Sequence, residues 1–116
     1  MQFLVLATDG TDAEAGARRR AALDEHNAMV RRLVSNGHLM FGVALNNDAG
    51  DPVGSMMVFE YDSREELAQQ LEEEPYMLAK VWNDVKVQPC TIGKSFEWTM
   101  LEAGSFKLDS SDAPSQ

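Results

Sequence analysis

Histidine occurs twice in the 116 residues, as His26 and His38. It is the side chain best suited to moving protons near neutral pH. His26 stands in "LDEHNAMVRRLV" (23–34), where Ala22, Met29, Val30 and Leu33 recur at helical spacing. A histidine acting as general acid or base needs an orienting partner and a reacting atom within about 3 Å. Asp9, emerging from the apolar run "FLVLA" (3–7), is the carboxylate that could orient it. Together they suit cofactor-free acid–base chemistry of the lyase, isomerase or elimination type. Arg19, seven residues before His26, could hold an anionic group bidentately. Ser55, Tyr76 and Trp82 could line a pocket. Each residue also has a plainer role. His26 can sit on the core face of its helix, bonded only to a backbone carbonyl. Asp9 can close an Asx turn with Gly10. Arg19 can be a surface ion pair, and Ser55, Tyr76 and Trp82 can be packing. His38, following Gly37 at a strand start, reads as structural, and the "EEE" at 72–74 as a solvated helix end.

Other chemistries find little support. Two histidines twelve residues apart without a cysteine pair are not a transition-metal signature. There is no Gly-rich phosphate loop and no nucleophile elbow. Neither a metal nor a cofactor is expected. Cys90 is the only cysteine, so no intrachain disulfide can form. A lone thiol suits a reducing cytoplasm, and its default role is a buried, inert one. Net charge is −9, against a surface built to track nucleic-acid phosphates. The opening "MQFLVLATDG" reads as a strand rather than a signal peptide, and no stretch is apolar for the length of a bilayer span.

The elements that must position these residues follow from pattern. The run 3–7 is a strand. Thr11 to Glu14 has the spacing of a capping box, and a helical pattern continues to the Asn36-Gly37 stop. Residues 38–45 and 53–61 are strands joined across "NNDAGDP", which makes a hairpin. Ser63 to Glu66 is a second capping box, opening a helix to about Glu73. Pro75 can begin a further helical turn. Residues 84–90 form a fourth strand. The order β-α-β-β-α-β is the ferredoxin-like arrangement, an α+β fold with helices on one face of an antiparallel sheet. The other face needs a cover, and a second subunit is the simplest. Residues 1–95 make the domain, and 96–116 a C-terminal extension with a small, polar, disordered end.

The first helical region raises a length problem. From residue 12 to 36 one straight helix would run about 37 Å, against about 23 Å for its neighbouring strand. Gly16 is a weak helix residue and Asp24 a possible internal cap. The reading is therefore a short turn over 12–20 and a main helix starting near 21–24. That break would bring His26 to a helix start beside the end of strand one, within reach of Asp9.

The stretches "FLVLATDG", "EHNAMVRRL", "FGVAL", "GSMMVFEYDSREEL", "EPYMLAKVW" and "VKVQP" resemble the YciI-like (YCII-related) proteins in order over about residues 1–90. The resemblance implies a dimeric α/β barrel, a homodimer joined through sheet faces. It also implies a pocket His–Asp pair, falling on His26 and Asp9, and a small-molecule substrate. Gly42, within "FGVAL", would permit close approach in that pocket. Leu23 stands where the family often has Arg, Glu74-Pro75-Tyr76 stands for its Asp-Pro-Tyr, and Cys90 replaces an aromatic. A non-catalytic ligand-binding or interaction module of the same fold is the alternative.

Overall fold

Strand β1 (Gln2–Asp9) explains the architecture. Its odd residues Phe3, Val5, Ala7 and Asp9 are buried, whereas Leu4 and Leu6 are only half-buried and Thr8 is exposed. The apolar run thus serves two unequal faces, as the pleat requires. A computed structural model describes residues 1–96. Strands β2 (Leu39–Asn46), β3 (Pro52–Glu60) and β4 (Trp82–Cys90) join β1 in one antiparallel sheet of order β2-β3-β1-β4. With helices α1 (Ala15–Ser35), α2 (Arg64–Glu72) and α3 (Pro75–Leu78), this is an α+β, ferredoxin-like fold. No helix among the described residues is long and apolar enough to cross a membrane.

The break expected in the first helix is absent: α1 runs through 21 residues without interruption. The length problem dissolves at both ends. The helix starts at Ala15 rather than Asp12, giving about 31 Å. The strand has eight residues, about 27 Å. Gly16 falls in the first turn, where a poor helix former costs little. The expected Thr11–Glu14 capping box is not made either. Asp12 accepts the Glu14 amide at 3.2 Å and clamps Arg18 through both oxygens, at 2.7 and 2.8 Å. Arg18 in turn donates to the carbonyl of Lys80 at 3.1 Å, tying the helix start to the loop before β4. At α2 the expected cap forms, Ser63 Oγ accepting the Glu66 amide at 3.2 Å.

The helices cover one sheet face. Phe3, Val5, Met57 and Phe59 meet Met29 and Leu33 of α1 and Leu67 of α2, with Tyr76, Val81 and Trp82 completing the core. On the opposite face the register aligns Leu4 with Val58, Leu6 with Met56, and Met56 with Val43. There a groove of about 450 Å³ is lined by Leu4, Phe41, Val58, Cys90, Ile92 and Phe96. The expected extension lies outside the described residues from position 97 onward.

Candidate functional site

The pocket lies between α1 and the β2–β3 edge, on the helix-covered face. Arg19, Leu23, His26, Asn27, Val30 and Val34 form one stripe along α1 and all line it. Opposite them stand Gly42, Ala44, Ser55 and Met57. Small residues on β2 keep this space open. A Cβ at Gly42 would stand 3.3 Å from Met57 Cγ on the paired strand, so a larger residue there would press on that side chain. The cavity measures about 320 Å³.

His26 is held by an acid, but not by Asp9. Its Nδ1 is bonded to Oε1 of Glu74. A carboxylate can only accept, so Nδ1 carries a proton, and in the neutral imidazole Nε2 is the acceptor. Nε2 has no partner among the described residues. The ring stacks on Tyr76, with centroids 3.9 Å apart and planes 8° from parallel, and meets the edge of Trp82 at 6.3 Å. Glu74 is buried, at 6% exposure, and also accepts the Tyr76 amide at 3.2 Å as the N-cap of α3. One carboxylate therefore starts a helix and orients the imidazole. The acidic run at 72–74, expected to be solvated, splits: Glu72 and Glu73 are exposed and Glu74 turns inward.

Asp9 belongs to Arg19. Nη1 of Arg19 donates to both oxygens of Asp9, at 2.8 and 2.7 Å, and both side chains are buried. Nη2 reaches Ser55 Oγ at 3.3 Å and the Gly54 carbonyl at 3.4 Å. Nη2 thus already has two acceptors, both farther away than the Asp9 oxygens are from Nη1. Gly54 is required where it stands: a Cβ there would come within 2.6 Å of the Ala7 carbonyl on β1. The unbroken helix explains the exchange of partners. Arg19 lies in its second turn, beside the end of β1. His26 lies about 16 Å from the helix start, and there it meets α3 instead.

Arg19 and His26, a heptad apart on one helix face, approach the same aromatic ring. The Arg19 guanidinium carbon lies 4.8 Å from the Tyr76 centroid, a cation–π distance. Burial pushes the Tyr76 phenol up, opposed by the Arg19 charge, so the hydroxyl stays protonated at neutral pH. Of the residues read from sequence, the pocket collects His26, Arg19, Gly42, Ser55 and Tyr76. Asp9 stands behind Arg19. Trp82 packs behind the histidine, its buried Nε1 without a partner among the described residues. His38 is structural: Nδ1–H donates to the Glu60 carbonyl at 2.9 Å, and the ring stacks on Tyr61 at 4.2 Å. Burial pushes the Cys90 thiol up, away from a reactive thiolate. Glu74 is the residue that sequence reasoning passed over. Its signal was a carboxylate directly before a proline at a helix start.

A family model described as the YCII-related domain matches residues 1–91. No curated protein sequence matches the chain. Similar solved structures include 5-chloro-2-hydroxyhydroquinone dehydrochlorinase (TftG) of Burkholderia phenoliruptrix AC1100, in complex with 2,5-dihydroxybenzoquinone. It has a TM-score of 0.68 and 22% identity, covering 82% of this chain and 98% of that one. Rv0793 of Mycobacterium tuberculosis has a TM-score of 0.54 and 17% identity, covering 81% and 99%.

Proposed function

The chain belongs to the YCII-related family, and we propose that it is a small-molecule enzyme performing cofactor-free acid–base chemistry with His26. One observation carries this reading: His26 lines the cavity, its Nε2 has no partner among the described residues, and buried Glu74 holds its Nδ1. In that tautomer Nε2 takes a proton from a carbon acid or hydroxyl of the substrate. The resulting imidazolium is held by the Glu74 carboxylate. The electrons left on the substrate delocalise onto an oxygen facing Arg19 Nη2, Ser55 Oγ and the Tyr76 hydroxyl. They then either expel a leaving group from the neighbouring carbon, forming the double bond, or recover the proton at another carbon. The first outcome is an elimination and the second an isomerisation. Asp9 keeps Arg19 in place. The dehydrochlorinase of similar fold, by its description, eliminates chloride from a hydroxylated ring, and a substrate of that chemical type suits the same donors.

The alternative, a binding module without catalysis, calls for a filled cavity or a histidine held by backbone alone. The carboxylate partner and the open cavity favour the enzyme. The test is proton exchange at carbon, followed by NMR in D₂O, on a panel of hydroxylated rings, quinones and β-dicarbonyls. His26→Ala should abolish exchange and Glu74→Ala should slow it. Exchange undiminished in His26→Ala would refute the mechanism.

We propose also that the pocket works within a cytoplasmic homodimer joined through the second sheet face. Leu4, Leu6, Met56 and Val58 lie on that face, and Phe41 and Val43 are 37% and 44% exposed. Sedimentation should give a dimer that Leu6→Glu converts to monomer. A monomeric wild type would end the proposal.

A further inference from the structure

The cavity is larger than one ring requires, and the surplus lies on one side. A cavity of about 150 Å³ accommodates benzene, whereas this one measures about 320 Å³. Its polar groups are not evenly spread. Arg19, Ser55 and Tyr76 gather at one end, where Nη2 contacts Ser55 Oγ at 3.3 Å. His26 comes next along α1. Beyond it the lining is Val30, Val34 and Leu39, with the Asn27 amide beside His26 the one polar side chain. Val34 is two helical turns past His26, about 12 Å along the axis. Leu39, at the start of β2, is a buried core residue, and Val34 is 42% exposed at the rim. Between His26 and that rim the α1 stripe carries no charged side chain into the cavity.

From this division we infer that the molecule taken by the pocket is amphiphilic. An oxygenated ring occupies the Arg19–Ser55 end. An apolar appendage of about five carbons runs from His26 along α1 toward Val34. This rests on the reading of Arg19 and His26 as the reactive site, and it adds what lies beyond them. A bare dihydroxylated ring leaves the Val30–Val34–Leu39 end empty, and filling it removes apolar surface from water on both partners.

Affinity across a homologous series reads this directly. The ligands are 5-alkylresorcinols with methyl, propyl, pentyl and heptyl chains, titrated calorimetrically into the full chain below their aggregation concentrations. Affinity should rise about two- to fourfold per methylene as far as pentyl and then level off. Val34→Trp changes an exposed rim residue outside the reactive groups. It should leave the methyl compound unchanged and erase the gain of the longer chains. His26→Ala, which removes a wall beside the ring, should weaken every member alike and keep the gain per methylene as far as pentyl. Affinity that is flat from methyl to heptyl, absent throughout, or rises unchanged in Val34→Trp would overturn the inference. The acid–base reading fails separately, by the exchange assay. Exchange that depends on His26 alongside a flat alkyl series would leave the proton chemistry standing and remove only the tail.

Discussion

Glu74 joins two jobs in one oxygen, and its removal should separate them. In Glu74→Ala the α3 N-cap at the Tyr76 amide is lost, which costs about 1 kcal/mol. The charge-assisted bond to His26 Nδ1 goes too, worth about 2 kcal/mol with the buried donor left unpaired. The sum is about 3 kcal/mol, a Tm fall of about 12 °C at about 4 °C per kcal/mol. Glu74→Asp retains a carboxylate with cap capacity and should recover most of this. The decisive readout is the imidazole tautomer, taken from long-range ¹H–¹⁵N correlation at pH 8. Wild-type His26 should show protonated Nδ1 and bare Nε2. In Glu74→Ala the populations should shift toward Nε2–H, placing a donor where the proposed base must accept. His38 is the internal control, since its Nδ1–H is held by the Glu60 carbonyl and should not move. A wild-type His26 signal with bare Nδ1, or a tautomer unchanged by Glu74→Ala, would refute the reasoning.

Three further outcomes follow from the same geometry. Arg19→Met strands the buried Asp9 carboxylate and should cost about 3–5 kcal/mol in urea unfolding, whereas Arg19→Met combined with Asp9→Ala should cost less than the single change. Tyr76 has its folded pKa raised by burial, so its contribution to stability is complete below about pH 10 and is lost as pH climbs through the folded value. Tyr76→Phe should therefore flatten part of the alkaline limb of a Tm–pH profile, leaving the share due to Tyr61, which burial also pushes up. Asp12 is lowered from 3.8 to about 2, first by the Arg18 hydrogen bond, so its contribution is present above pH 3.8 and lost on descent toward pH 2. Asp12→Asn should remove only that segment of an acid-unfolding curve, and by a small amount because the pair is exposed.

The fold was legible because its signals are local. The apolar runs of β1 and β3, the Ser63 cap and the Pro75 turn each prefigure an element that the structure contains. The pocket stripe was half legible: Arg19 and His26 were both singled out, but the expected break put them on separate segments, and only the unbroken α1 sets them a heptad apart on one face. Their partners were not. Whether Asp9 or Glu74 meets His26 depends on where along α1 the strand end and α3 pack, and neighbours in sequence carry no record of that. The misplaced helix break came from counting Asp12 as helical and β1 as shorter than its eight residues.

The two walls of the pocket differ in what they owe the rest of the molecule. Tyr76, Met57 and Leu39 line it and are also core members, and Arg19 and Ser55 are buried with them. Leu23 and Val34, both 42% exposed, line it from the helix side and support little else. Substitution along that outer wall can reshape what the site accepts without loosening the domain. Change among the buried lining residues alters the pocket and the packing together. Under the proposed function, ligand preference is separable from stability at the exposed rim and inseparable from it among the buried lining residues, which makes positions 23 and 34 the natural starting points for redirecting it.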